Sequence, residues 1–140
     1  MKTSTIFDCS VLDLKKINNF NGRITAVNNL QEVPFEIKRI FYLYDIPSGV
    51  SRGQHAHISL HQVILASTGS FDVIVDDGKM KRTFYLNQPN TALHVPPGIW
   101  AELVNFSGGS ICMVLASDIY EEDDYLRDYK DFLNYKNTHN

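Results

Sequence analysis

Three of the five histidines fall within seven residues, at His55, His57 and His61, and Arg52 stands three positions before the first of them. Imidazole is the side chain whose ordinary pKa lies nearest neutrality, so paired histidines can take up and return protons at pH 7, or serve as metal ligands. A guanidinium beside them suits an oxyanion, because its planar fork matches phosphate or carboxylate oxygens. The segment from Ile58 to Leu65 reads as strand. Alternate residues of a strand share a face, so His55, His57 and His61 are expected to project together if the strand stays regular.

The elements that must hold these groups read as short strands. Val11–Leu14, Arg23–Val27, Ile40–Asp45, Phe71–Val75, Lys81–Leu86, Ala92–Val95, Trp100–Phe106 and Ile111–Ala116 are β-branched or aromatic runs separated by turn residues. Asn-Gly at 21–22 and Asp-Gly at 77–78 are turn signals, the second suiting a tight two-residue hairpin. Such spacing predicts an all-β sandwich or barrel. Only the end reads as helix, over about residues 122–134. There Tyr125, Leu126, Tyr129, Phe132 and Leu133 recur at helical spacing behind an acidic start, and Lys136 to Asn140 are expected to fray.

Composition bounds the rest. The chain has 140 residues, 44% of them apolar and 21% charged, with net charge −3. One domain spanning 1–140 is expected, its core over about 20–120. The absence of a Lys/Arg cluster argues against a nucleic-acid partner. No apolar run approaches the ~20 residues of a membrane span, and residues 1–8 lack a signal-peptide core. Cys9 and Cys112 form no CxxC and read as buried or free thiols, which fits a reducing cytoplasm.

The histidine segment resembles the first cupin motif. Gly49 is followed by five residues, then His55 and His57, then Gln62 at the acidic position and Gly69. Pro96-Pro97-Gly98, Ala101 and Asn105 resemble the second motif, with Ala101 in place of its histidine. The resemblance implies a double-stranded β-helix, or jelly roll, with a short C-terminal helix. Gln62 and Ala101 remove two of the four cupin metal ligands, so no metal and no cofactor are expected. A metal-dependent cupin using His55, His57 and His61 is the competing reading.

A closer resemblance covers roughly residues 20 to 135. Arg52-Gly53-Gln54-His55-Ala56-His57, Val75–Gly78, Trp100, Asn105–Ser107 and the stretch from Leu115-Ala116-Ser117-Asp118 to Leu126-Arg127 are similar to the WxcM-like/FdtA-type sugar 3,4-ketoisomerases. This family acts on dTDP-4-keto-6-deoxyglucose. The resemblance implies a cytoplasmic, metal-independent homodimer with exchanged strands, converting a dTDP-linked 4-keto sugar to its 3-keto isomer for deoxyamino-sugar and surface-polysaccharide synthesis.

Under that reading one histidine of the pair removes the C3 proton and the other shuttles the oxygen proton. His57 as carbon base and His55 as shuttle is one order, and the reverse stays open. Tyr42 matches the family tyrosine, as an oxyanion donor or simply a cross-strand packing residue. Arg52 is the diphosphate ligand and Arg23 a weaker one. Trp100 lines the sugar pocket or stacks on thymine, unless it only packs. His94 faces the cavity or is a structural histidine, and Gln62 contacts substrate. Departures at Asn21-Gly22-Arg23, Asn28, Asn29 and Ala101 bear on substrate choice and stereochemistry. The alternatives are a non-catalytic cupin that binds a sugar nucleotide, and a sugar-nucleotide 3,5-epimerase.

Overall fold

A computed structural model describes residues 4–139. Its strands are β1 (Ser10–Asp13), β2 (Ile17–Asn19), β3 (Gly22–Ile24), β4 (Arg39–Leu43), β5 (Arg52–His57), β6 (Gln62–Thr68), β7 (Phe71–Asp76), β8 (Lys81–Leu86), β9 (Thr91–Val95), β10 (Trp100–Val104), β11 (Ile111–Ala116) and β12 (Tyr125–Leu126), followed by one helix, α1 (Tyr129–Thr138). Two five-stranded sheets are ordered β1-β9-β6-β11-β4 and β12-β5-β10-β7-β8, with β2 and β3 as a separate hairpin. The neighbours within each sheet pair antiparallel. This is the jelly-roll arrangement expected.

The strand period explains the layering. Ile64, Ala66, Val73, Val75, Leu93, Val95 and Val114 turn inward to one buried cluster with Phe71 and Leu86. The residues between them on the first sheet, Val63, Leu65, Ala92 and Leu115, face the other way and are covered by Leu14, Val33 and Phe35. Burial on both faces is why β6 reads as a continuous apolar run instead of an alternation. Ile6 and Cys9 join the inner cluster, so the core begins well before residue 20. Cys9 and Cys112 are buried free thiols, both pushed up to about 12, first by that burial.

Three local expectations are corrected. The β7–β8 connection is a four-residue loop, since Asp76 pairs with Lys81. Asp77 accepts from the Lys79 and Met80 amides and so stabilises the wider loop. The first strand of the 23–27 reading is shorter, and β3 pairs only with β2. The C-terminal helix starts later and runs further than 122–134. Residues 122–124 form a single 3-10 turn, Tyr125 and Leu126 pair with β5, and Asp128 caps α1 by accepting from the Lys130 and Asp131 amides. An aromatic residue every few positions suits either state, and the open edge of β5 offered backbone partners to Tyr125 and Leu126.

Helix α1 docks on the outer side of the second sheet. Phe132 is 0% exposed against Trp100 and Tyr129. The expected fraying at Lys136 does not occur. Its ammonium is buried and donates to the carbonyls of Ser4 (2.6 Å) and Gly98 (2.8 Å). Replacing Phe132 with alanine is expected to destabilise the protein by about 3–5 kcal/mol, measured as a shift of the urea midpoint. A loss under about 1 kcal/mol would mean that α1 is not docked in solution.

Candidate active site

The site is organised by an irregularity in β5. Ala101 of β10 pairs with His55 and Leu103 with Arg52, so three steps along β5 answer two along β10. The extra residue is a β-bulge, with Gly53 in the left-handed region at φ 68°. Residues three apart on a regular strand face opposite sides. Across the bulge, Arg52 and His55 instead line the same cavity between the two sheets, while Gln54 turns outward and donates to Glu102 at 3.3 Å.

His57 lies deeper than His55 and is only 4% exposed. Its Nδ1 is 3.2 Å from Asp124 Oδ2. The same carboxylate accepts from the Ser59 amide at 2.7 Å and the Leu60 amide at 3.2 Å, and the Asp124 carbonyl accepts from the Ile58 amide. Asp124 therefore clamps the turn that leaves β5. A carboxylate only accepts, so His57 carries its proton on Nδ1 and presents Nε2 as the free base.

Tyr125, the next residue, lies against both imidazoles, its ring centroid 4.9 Å from that of His55 and 4.3 Å from that of His57. The two imidazoles meet edge to face at 4.9 Å. Burial first, then His57 and Arg127, push His55 down to about 4, with Glu122 opposing. His57 is lowered too, because burial outweighs the pull of Asp124 in the other direction. Both imidazoles are therefore neutral at pH 7 and competent to accept a proton.

The cavity in front of His55 has a volume of about 300 Å³. Its floor is apolar, from Phe41, Leu43, Ile64, Leu103 and Val114, and Gln62 adds an amide with no hydrogen bond among the described residues. Three guanidiniums line it, from Arg39, Arg52 and Arg127. Arg127 is engaged by Glu122 through bonds of 2.7 and 2.9 Å, and stacks over Tyr125 at 4.1 Å. Tyr120 also donates its hydroxyl proton to Glu122, and these bonds, Arg127's first, hold that carboxyl down to about 2. Arg39 and Arg52 have no carboxylate partner among the described residues, and the buried Arg39 Nε has no hydrogen-bond partner. On the other side of Tyr125, a second depression of about 360 Å³ is lined by Asp118, Glu121, Asp123 and Asp124, with Arg39 and His57 also on its wall. Its four carboxylates outnumber its one guanidinium, so an anionic ligand is favoured instead in the cavity lined by three arginines.

Other residues singled out from the sequence lie elsewhere. Tyr42 is 56% exposed on the outer side of β4, beside Tyr44, because Arg39, Phe41 and Leu43 take the inward positions. The cavity has Phe41 where a phenol was expected. Trp100 faces outward under α1, its ring 5.2 Å from Tyr129, since Ala101 and Leu103 are the inward residues of β10. Arg23 sits on the β2–β3 hairpin and donates to Asn18 at 2.8 Å, away from the cavity within this chain. His61 does not share a face with His55 and His57, because β5 ends at His57 and the chain turns before β6 begins at Gln62. It pairs instead with His94, Nδ1 to Nε2 at 3.0 Å, with Phe35 against both rings on the outer side of the first sheet. Burial, then His61, pushes His94 down to about 4. The metal reading that needed His61 beside His55 therefore lacks its third ligand, and among the described residues no three His, Cys, Asp or Glu side chains converge as a donor set.

Arg39, Asp124, Tyr125 and Arg127 are the additions. Period-2 reading of β4 would have found Arg39 on the Phe41 face. Asp124 and Tyr125 were hidden by reading their segment as helix.

The comparisons with known proteins agree with this geometry. The family model described as "FdtA: WxcM-like, C-terminal" matches residues 7–137. A TDP-4-oxo-6-deoxy-alpha-D-glucose-3,4-oxoisomerase from Aneurinibacillus thermoaerophilus is 41% identical over 125 residues, covering 89% of this chain and 90% of that protein. The crystal structure of a 3,4-ketoisomerase from Helicobacter canadensis superposes with a TM-score of 0.91 at 42% identity, over 93% of this chain and 98% of that one. The sugar 3,4-ketoisomerase QdtA from Thermoanaerobacterium thermosaccharolyticum, solved with TDP, has a TM-score of 0.93 at 29% identity, over 96% and 98% of the two chains. With the bulged His-x-His strand, the arginine-lined cavity and a family match over nearly its whole length, this chain belongs to the WxcM-like, FdtA-type family.

Proposed function

We propose that the protein is an isomerase that converts dTDP-4-keto-6-deoxyglucose to a dTDP-3-keto-6-deoxyhexose by acid/base proton transfer. The observation that carries this reading is a neutral imidazole, His55, lining a cavity beside two arginines that have no carboxylate partner among the described residues. The 41% identical relative bears the corresponding name, and neither the non-catalytic nor the 3,5-epimerase alternative is favoured by relatives of that kind. Arg52 and Arg39 hold the diphosphate, and the apolar floor takes the deoxyhexose with Gln62 contacting a hydroxyl.

His55 is the better candidate for the carbon base, because it lines the cavity while His57 stands behind it. Its lone pair takes the C3 proton, the electrons form a C3=C4 double bond, and the C4 carbonyl oxygen gains a proton to give an enediol. The O3 proton then leaves, the carbonyl reforms at C3, and C4 takes the proton from the His55 imidazolium. His57, fixed by Asp124, holds His55 edge to face. A dimer is part of the proposal: exposed Ile40 and Tyr42 on β4, whose outer edge ends its sheet, and Tyr44 just beyond it form the surface a second copy would cover. No helix among the described residues is long and apolar enough to cross a membrane, and a cytoplasmic location fits a nucleotide-sugar substrate.

Incubation with dTDP-4-keto-6-deoxyglucose in heavy water, followed by proton NMR, is expected to show a 3-keto product, with deuterium entering C4 in the turnovers where the His55 imidazolium exchanges with solvent before returning its proton. Neither product nor exchange at C3 or C4 would sink the isomerase reading. His55→Asn is expected to lower kcat by at least about 100-fold with the melting temperature kept. The pH dependence has a definite sign. His55 must be unprotonated to act, so kcat/KM falls as pH drops toward about 4, well below the usual imidazole range. Stability begins to decline earlier, from about pH 6.5 down to about 4, because over that range the unfolded chain binds a proton that the folded His55 resists. A kcat/KM limb at pH 6.5 would place a solvated histidine in the role instead.

A further inference from the structure

The enediol mechanism, on whose correctness this inference rests, needs a second group. The carbon base is occupied with the C3 proton at the moment the C4 oxygen must receive one. The family tyrosine expected at Tyr42 lies on the outer face, and Phe41 takes the inward position. Arginine can donate a hydrogen bond to the developing oxyanion, but it does not give up its proton, and the Gln62 amide does not either. Serine and threonine do not line the cavity. Apart from histidine, its lining holds two groups with a transferable proton, the phenols of Tyr120 and Tyr125.

These two are not equivalent. Tyr120 is exposed, and its hydroxyl is already committed as donor to the Glu122 carboxylate. Tyr125 is half-buried, its ring lies against both imidazoles, and its hydroxyl makes no hydrogen bond among the described residues. That hydroxyl is not among the buried polar atoms left without a partner, so it is open to solvent or a ligand. Backbone pairing of Tyr125 with His57 fixes its Cα on the histidine strand, and Arg127 stacked over the ring fixes its plane.

We propose that Tyr125 is the catalytic acid and base at the sugar oxygens. Its O–H donates to O4 as the C3=C4 bond forms, giving the enediol and a phenolate. The phenolate then takes the proton from O3 as the C3 carbonyl forms, which restores the phenol. Over the cycle one proton moves from C3 to C4 through His55 and one from O3 to O4 through Tyr125, so protons and electrons balance with no oxidant or reductant. A neighbouring guanidinium, Arg127, stands where it stabilises the transient phenolate.

The test is Tyr125→Phe, which keeps the ring, its contacts with both histidines and the arginine stacking, and deletes only the hydroxyl. Expected is a loss of kcat of about 100-fold or more, with KM, TDP affinity and melting temperature unchanged. If the wild type turns over and Tyr125→Phe stays within threefold of it, Tyr125 is not the oxygen acid; if the wild type itself is inactive, the function proposed above has failed instead. Should Tyr125→Phe fold poorly, 2,3,5-trifluorotyrosine placed at position 125 acidifies the phenol and keeps its hydroxyl. The alkaline limb of the kcat profile should then move to lower pH, and an unmoved limb overturns the proposal.

Discussion

The attachment of residues 117–127 to the end of β5 is the constraint on which the site depends. The histidine strand would otherwise be a sheet edge with its imidazoles open to water. β12 closes that edge by pairing Tyr125 with His57 and Leu126 with Ala56. Asp124 then locks the exit turn by accepting from two amides and from the His57 ring. One carboxylate thus fixes a backbone turn and a tautomer together, and Tyr125 lies against His55, whose burial keeps it unprotonated.

Charge is sorted around this strap. Arg52 and Arg127 lie on the His55 side with Arg39, which borders both depressions, and the carboxylates of Asp118, Glu121 and Asp123 gather on the other. Glu122 is the exception, and it neutralises Arg127. Arg39 and Arg52 remain without a carboxylate partner among the described residues, a match in charge for a diphosphate diester. Low dielectric between the sheets strengthens this attraction and also disfavours an imidazolium, so one apolar floor serves both binding and proton transfer.

Much of this could be read from the residue pattern, and the failures share one cause. Strands, turns and the His-x-His motif are local signals, and they survived. Which face a side chain takes depends on parity along a strand, and parity is lost wherever the strand is interrupted. The turn after His57 took His61 out of the site, and inward Phe41 left Tyr42 outside. Trp100 fell under a helix whose start had been read several residues early. Asp124 and Tyr125 reach the site through a two-residue strand, too short to leave a periodicity. The His61–His94 pair is a contact across 33 positions that no local pattern encodes.

The bulge at Gly53 has a genetic consequence. Because it is a single additional residue in an otherwise regular ladder, its deletion would leave Arg52 two positions before His55, opposite Leu103 as now and on the same face. The odd spacing of anion ligand and proton acceptor is thus tolerated only while the backbone at residue 53 can bulge. A side chain that denied residue 53 its left-handed backbone would force regular pairing of all four residues, and only then would Arg52 turn away from His55.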